Sequence, residues 1–304
     1  MISVVIPLYN EEKLINRLLE ELFDALKNTK EDFEVVCVDD GSTDSTLQKL
    51  IKFREEHGEV KIISLSRNFG LQAALTAGIE YARGEYTVIM DGDFQDPPDL
   101  VPVLFDKMKS TGADIVTAVR EARNEKFSKK LYINIFHKIF HKLTEGRQVA
   151  QTGNFCILNV KARNAILKFS ERIRYLPGIR NFIGFRHEFI LYDRPDRPEG
   201  ESKMSRRKLF AMASDAIYSF SKWPVRACLY LGILGILIFL AAFIYTILSK
   251  ALGWAPIGWS SVFLAISFFG SLQLTFMGLI GEYIYRIFKE VQNRPIYFVQ
   301  KIYE

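Results

Sequence analysis

Tyr86-Thr87-Val88-Ile89-Met90-Asp91-Gly92-Asp93-Phe94-Gln95 begins as an apolar, β-branched run and ends in an acidic cluster. The run reads as a buried strand, so two carboxylates one residue apart stand at a strand's carboxyl end. The glycine between them lets a ligand approach the backbone. Asp91 and Asp93, with Gln95 as a neutral oxygen donor in reach, suit a hard divalent cation held together with substrate phosphates. Taken alone, Asp-Gly-Asp is equally the chemistry of a solvated turn. The flanking sequence decides between the two.

Three earlier segments have the same build. Residues 2–8 form a short β-branched run closed by Pro7, a buried strand running into a loop. Asn10 is expected to cap a helix in which Leu14, Ile15, Leu18, Leu19, Leu22, Phe23 and Leu26 recur at helical spacing. A second strand, 34–38, ends in Asp39-Asp40-Gly41-Ser42-Thr43-Asp44, where Ser42 or Thr43 is expected to cap the next helix. A third, 60–65, leads into Ser66-Arg67-Asn68-Phe69-Gly70 and a helix through Ala82. After the Asp91 cluster, Pro97-Pro98 starts a helix from Asp99, and 114–119 reads as a further strand.

Strand and helix thus alternate four times, with the unusual polar residues always at the carboxyl end of a strand. That pattern predicts an α/β fold with an open, mostly parallel sheet and a ligand crevice along those ends. No Gly-x-Gly-x-x-Gly occurs at the first turn, which counts against a hydride-transfer dinucleotide fold. Carboxylates at base and ribose, and a metal on the pyrophosphate, are another way to hold a nucleotide.

Composition sets the wider frame. The 304 residues are 49% hydrophobic, with a mean hydropathy of +0.05, high for a wholly soluble chain of this size. The excess lies after Trp223. Residues 227–248 carry no charge and are long enough to span a bilayer, and 262–280 form a second candidate span in which Ser267, Gly270, Ser271 and Gly278 offer small-residue packing faces. Lys222 and Arg226 precede the first, Arg286, Lys289 and Arg294 follow the second, and only Lys250 lies between, so the positive-inside rule keeps both chain ends cytoplasmic. Glu282 reads as a residue of the cytoplasmic edge or as a partner for a basic group. Two amphipathic stretches, 127–143 and 206–222, carry basic residues beside apolar ones. The first reads as a surface helix facing the core, the second as an interfacial helix.

The net charge of +5 is modest and its clusters adjoin apolar surface, which fits an anionic membrane face and no nucleic acid. Cys37, Cys156 and Cys228 have no metal-type spacing and are expected to be reduced, buried thiols. No secretory leader is expected ahead of the first strand.

Val5-Ile6-Pro7-Leu8-Tyr9-Asn10-Glu11-Glu12, Val38-Asp39-Asp40-Gly41-Ser42-Thr43-Asp44, Arg67-Asn68-Phe69-Gly70 and Asp91-Gly92-Asp93-Phe94-Gln95-Asp96-Pro97-Pro98 resemble the four signature blocks of inverting GT-A glycosyltransferases. More narrowly the chain resembles the polyprenyl-phosphate hexosyltransferases, among them dolichyl-phosphate mannose synthase and bacterial undecaprenyl-phosphate glucosyltransferases. The likeness extends to the stretch from Arg194 to Lys203 and to Gly281-Glu282-Tyr283-Ile284.

The resemblance implies a GT-A (Rossmann-like) domain over 1–204, a juxtamembrane amphipathic helix over 205–226, a two-helix transmembrane hairpin over 227–285 and a cytoplasmic tail over 286–304. It sets Pro7, Tyr9, Glu11 and Asn68 against the donor nucleotide, and Asp40, with its neighbour Asp39, as acceptor of a hydrogen bond from the base. Packing is the alternative for Tyr9, and a helix-capping role for Asp40. It sets Asp91, Asp93 and Gln95 around Mg²⁺ or Mn²⁺ on the donor pyrophosphate, Asp93 and Arg120 as catalytic groups, and Arg123, Lys129, Lys130, Arg197 and Lys203 on the acceptor phosphate. For the lysines a solvated or headgroup role is an equal reading.

One block departs from the pattern. Thr152-Gly153-Asn154-Phe155-Cys156 stands where many relatives carry Gly-Asp-Phe-Arg, so Asn154 takes the catalytic position of an aspartate and Cys156 that of an arginine. An amide takes no proton at neutral pH. A phosphate acceptor is already anionic, however, and needs orientation and cations more than a base. The implied activity is metal-dependent transfer of a hexose or modified sugar from a nucleotide-sugar, a UDP-sugar first, to undecaprenyl or another polyprenyl phosphate with inversion. The implied place is the bacterial inner membrane, with the catalytic domain cytoplasmic, and the implied state is a homo-oligomer, by resemblance a tetramer. A catalytically impaired glycan- or lipid-binding scaffold and a processive polysaccharide synthase are the alternatives. The second lacks its expected Gln-x-x-Arg-Trp block here.

Overall fold

The computed structural model describes residues 1–120, 152–172, 174–192, 223–252 and 258–304. The chain divides into two compact units, one of Met1–Ser219 with Pro295–Glu304, the other Phe220–Arg294.

In the first unit β1 (Ile2–Leu8), β2 (Phe33–Asp39), β3 (Val60–Leu65) and β4 (Tyr86–Ile89) run parallel in the order β4-β1-β2-β3. Every residue of β1 is buried, as a central strand covered on both faces requires. Between these strands run α1 (Ile15–Lys27), α2 (Thr46–Glu56) and α3 (Leu71–Tyr81), with α4 (Leu100–Thr111) after β4. Helix α1 buries Ile15, Leu18, Leu19, Leu22, Phe23 and Leu26, one stripe at 3.6-residue spacing. Helix α3 buries Ala73, Ala74, Ala77 and Gly78, small residues that let it settle onto the sheet. A Cβ at Gly78 would collide with the Val5 side chain.

Downstream come β5 (Ile115–Arg120), β6 (Thr152–Asn159), α5 (Val160–Leu167), α6 (Leu176–Phe182) and β7 (His187–Tyr192). Strand β6 is antiparallel to both β4 and β5, while β5 and β7 are parallel. The eight-stranded order is β7-β5-β6-β4-β1-β2-β3-β8. The last strand, β8 (Val299–Tyr303), pairs antiparallel with β3. It lies in the stretch that the sequence reading treats as a tail. The pairing closes one edge of the sheet from the far end of the chain, and the Glu304 carboxylate reaches the nearly buried Lys61 at 2.5 Å and Arg83 at 2.9 Å.

Two expected caps fall elsewhere. Helix α1 begins at Ile15 with Leu14 at its N-cap, and Asn10 lies upstream in a left-handed turn with φ 55°. Helix α2 begins at Thr46, where Asp44 Oδ1 accepts both the Thr46 N–H at 3.0 Å and its hydroxyl at 2.6 Å. Short polar side chains compete for the backbone of such a loop, and here the loop itself takes Asn10 and Ser42.

The second unit is two helices, α7 (Trp223–Ala251), 29 residues, and α8 (Trp259–Val291), 33 residues. Gly235 of α7 faces Phe269 of α8, whose ring would lie 3.8 Å from an added Cβ. Leu234, Leu237, Phe243, Ile266, Phe268 and Leu274 are exposed. Glu282 pairs with Arg286 one turn on, at 2.8 Å, the second of the two readings given for it. Among the described residues no helix is long and apolar enough to cross a membrane. Several side chains of the stretches 227–248 and 262–280 lie outside that description.

Candidate active site

Four loops at the carboxyl ends of β1, β2, β3 and β4 interlock, and each bond between them uses a residue type that the sequence placed there. The Asn10 N–H donates to Ser42 Oγ at 3.0 Å, and Asn10 Oδ1 accepts the Thr43 N–H at 2.8 Å. The Glu11 N–H donates to Thr46 Oγ1 at 2.9 Å, and the Ser45 N–H donates to Glu12 Oε2 at 3.1 Å. These bonds tie the loop after β1 to the loop after β2. Tyr9, 37% exposed, stands at that junction.

Asp39 and Asp40 end β2, both buried. The Asp40 N–H continues the sheet ladder to the Leu8 carbonyl at 2.8 Å. Its carboxylate turns the other way: Oδ1 accepts the Phe69 N–H at 2.7 Å and Oδ2 the Gly70 N–H at 2.9 Å. The sequence reading sets Asp40 against a base, with a helix-capping role as its alternative. Both carboxylate oxygens are taken by the residues just ahead of α3, away from the adjacent α2. Gly41, at φ 66°, presses on the same loop, where an added Cβ would stand 2.5 Å from the Arg67 carbonyl carbon and 2.7 Å from Asn68 N. Only glycine fits such a place. Burial pushes the Asp40 carboxyl above the usual range, against the pull of the two N–H donors. Burial raises Asp39 likewise, opposed by Ser42. Beyond this support the loop is exposed at Arg67 and Asn68, with the Arg67 guanidinium 4.2 Å over the Phe69 ring.

The Asp91 cluster is shaped by Asp96, buried to 1% exposure. Asp96 Oδ2 accepts the Asp91 N–H at 2.9 Å, and Oδ1 accepts the Tyr192 hydroxyl at 3.1 Å. The Gln95 N–H donates to Asp93 Oδ1 at 3.1 Å, and Phe94 between them takes φ 61° with its ring buried. A Cβ at Gly92 would meet Leu8 Cδ2 at 2.5 Å and the Pro7 carbonyl oxygen at 3.1 Å, so glycine is what lets the cluster lie against the end of β1.

Asn154, on β6, brings its carboxamide Nδ2 to Asp91 Oδ1 at 3.5 Å, a long contact. An aspartate there would oppose two carboxylates, a repulsion that an amide donor avoids. Behind it Arg180 of α6, 3% exposed, donates from Nη2 to the Gly153 carbonyl at 2.8 Å and from Nη1 to the Asn154 carbonyl at 3.3 Å. Cys156 is a buried free thiol beside it. Burial pushes this thiol up, and Arg180 offsets part of the rise.

Among the described residues no three histidine, cysteine, aspartate or glutamate side chains form a metal-binding group. The donors at the cluster are two carboxylates and a carboxamide, all oxygen, on a loop that glycine holds against β1. That set fits Mg²⁺ or Mn²⁺ sharing its coordination with phosphate oxygens.

The structure brings Asp91, Asp93 and Gln95 at the end of β4 together with Pro7 of β1 and Asn154 of β6, and sets Tyr9, Glu11, Asp39, Asp40 and Asn68 at the ends of β1, β2 and β3 and in the loops after them. Arg120 closes β5, with its side chain outside the description. Arg123, Lys129, Lys130, Arg197, Lys203 and both amphipathic stretches also lie outside the described residues. Asp96, Tyr192 and Arg180 are site residues that the sequence reading assigned no role. For Asp96 the signal was the third acid of the block. Arg180 and Tyr192 carry no local signal, because only the fold brings them near.

Residues 3–184 match the family described as glycosyl transferase family 2. The chain belongs to that family. An uncharacterised glycosyltransferase of Synechocystis sp. is 40% identical over 304 residues, 99% of this chain and 95% of its own length. The undecaprenyl-phosphate 4-deoxy-4-formamido-L-arabinose transferase of Serratia proteamaculans is 33% identical over 311 residues, covering 99% of this chain and 93% of its own length.

 The glucosyl-3-phosphoglycerate synthase of Mycobacterium tuberculosis, crystallised with Mn²⁺, UDP and phosphoglyceric acid, shares the fold at a TM-score of 0.50 and 18% identity, over 71% of this chain and 76% of that one.

Family 2 membership bears out the expected activity, glycosyl transfer, and together with this likeness the expected α/β fold of the GT-A type. In family 2 terms the matched span ends at Gly184, just past Arg180, so the whole acid cluster and both its supports from β6 and α6 fall within it.

Proposed function

We propose that this family 2 glycosyltransferase moves a sugar from a nucleotide-sugar, a UDP-sugar first, to undecaprenyl or another polyprenyl phosphate, with inversion. The observation that carries the reading is the end-to-end identity with the undecaprenyl-phosphate sugar transferase of Serratia proteamaculans, 99% of this chain against 93% of that one. The site chemistry supports it. Pro7, Tyr9, Glu11, Asp39 and Asn68 take the nucleoside, and Asp40 acts by holding the loop that carries Asn68. Asp91, Asp93 and Gln95 hold Mg²⁺ or Mn²⁺ on the donor diphosphate. When bound, the cation stabilises the negative charge that builds on the leaving nucleoside diphosphate.

The acceptor's phosphate oxygen is ionised near neutral pH and attacks the anomeric carbon from the face opposite the diphosphate, which inverts the centre. No proton has to be removed from such a nucleophile, so an amide at Asn154 is compatible with turnover. Arg120, Arg123, Lys129, Lys130, Arg197 and Lys203 are the cations assigned to hold the acceptor phosphate beside a second polyanion.

A polyprenyl acceptor asks for a membrane, and the same reading takes 227–248 and 262–280 as a two-helix hairpin in the bacterial plasma membrane. Its support is the charge-free run of 227–248 and the exposed apolar side chains of α7 and α8. The chain leaves the first unit at Ser219 and returns to it at Pro295, which is consistent with a hairpin. Both termini and the catalytic unit are then cytoplasmic, by the basic residues flanking the hairpin. The small-residue faces of the second span support a homo-oligomer.

The test compares acceptors. With one productive donor, undecaprenyl phosphate should accept sugar while undecaprenol, the neutral alcohol, should not. Equal transfer to the alcohol would demand a general base and overturn the reading.

A further inference from the structure

The Arg180 guanidinium is buried, yet its two Nη groups go to backbone carbonyls rather than to a carboxylate, and its Nε is a buried N–H without a hydrogen-bond partner among the described residues. Burying a guanidinium on these terms is costly, and an apolar side chain would tie α6 to β6 at less expense. The two carbonyls it holds belong to Gly153 and Asn154, the residues that bring the Asn154 carboxamide to Asp91 Oδ1. Asp91 is fixed from its other side, where its N–H donates to Asp96. The cluster therefore has a support on each flank, and on the β6 flank Arg180 of α6 holds the Gly153 and Asn154 carbonyls, beside the ladders of β6 to β4 and β5.

We propose that Arg180 is a positioning residue for the acid cluster: by fixing the Gly153 and Asn154 backbone it sets the Asn154 amide on Asp91 and so orients that carboxylate for a divalent cation and the donor diphosphate. The inference rests on the metal reading given under Proposed function. It assigns Arg180 no contact with substrate. A plain structural tie between α6 and β6 would affect folding and leave the cation affinity of the folded protein alone.

Binding of Mn²⁺ in the presence of UDP, followed by the electron paramagnetic resonance of the free ion, separates the two with the full-length protein in detergent. Groups that orient a metal ligand change affinity by about 10–100-fold when removed, and Arg180→Gln is expected to weaken Mn²⁺ binding within that range. Arg180→Lys, which keeps one donor, should lie between it and wild type. Asn154→Ala should reproduce the loss, and the double variant should bind no more weakly than the weaker single one. Arg180→Gln with a lowered Tm but wild-type Mn²⁺ affinity would overturn the inference. Should Arg180→Gln not fold, wild-type affinity in Asn154→Ala would overturn it alike. Wild-type protein that takes up no Mn²⁺ with UDP would instead sink the metal reading, and this inference with it.

Discussion

Asp40 Oδ2 accepts the N–H of Gly70 at 2.9 Å across thirty residues of chain. With the bond from Phe69 to Oδ1, it makes one buried carboxylate the acceptor for the two residues of the loop that lead into α3. Replacing it tests whether that loop serves the donor. Asp40→Ala removes the acceptor of two charge-assisted hydrogen bonds and should destabilise the protein by about 2–3 kcal/mol. The KM for the nucleotide-sugar should rise more than kcat falls. Melting curves and steady-state kinetics check both. An unchanged KM would separate the loop from donor binding.

Gly41 gives a second handle on the same contact. Gly41→Ala places a Cβ against the Arg67 backbone at a φ of 66°, and left-handed strain alone costs about 1–3 kcal/mol. Lower Tm and weaker UDP binding are expected together. Calorimetric titration with UDP reads the second.

His187 sets a pH dependence. Burial, then Arg180, pulls its pKa from 6.5 to about 4, and Nε2 lies 2.7 Å from Thr117 Oγ1. In the folded protein the imidazole stays neutral where the unfolded chain is already protonated. Its contribution to stability is therefore complete above pH 6.5 and is lost as pH falls from 6.5 toward 4. Tm measured across that window should fall more steeply for wild type than for His187→Asn, and parallel curves would refute the assignment.

Strand β8 makes the C-terminus part of the catalytic unit. Removing Val299–Glu304 strips β3 of its outer partner, leaving it paired with β2 alone, and leaves the nearly buried Lys61 without the Glu304 carboxylate. An exposed strand edge invites pairing between molecules. A lower Tm and greater light scattering are expected of the truncated protein, and wild-type behaviour in both would show the strand to be dispensable.

The alternation of apolar runs and helical stripes was enough to read the parallel half of the sheet, because β1 to β4 each bury a continuous β-branched run and each ends in its polar loop. Strand β5 was legible within a residue. The alternation says nothing of β6 reversing direction between β4 and β5, since antiparallel insertion depends on which edge is free. Strand β8 had a signal in the β-branched and aromatic residues Val299, Ile302 and Tyr303, but pairing 230-odd residues back along the chain is not a local property.

At the site, residue types were legible and directions were not. Asp91, Asp93 and Gln95 follow from their block. That Asp40 faces α3, or that Asn10 braces Thr43 instead of capping α1, depends on which loop stands opposite. Arg180 sits in Leu176-Pro177-Gly178-Ile179-Arg180, where nothing in the sequence marks a basic residue as buried.

The most direct measurement of the central claim is transfer of radiolabelled sugar from a panel of UDP- and GDP-sugars to undecaprenyl phosphate, with Mg²⁺ or Mn²⁺, with EDTA, and with Asp93→Ala. The account predicts one donor class giving a lipid-extractable product that disappears with EDTA and in the variant. Product that persists in Asp93→Ala, or bound nucleotide with no product from any donor, would contradict it.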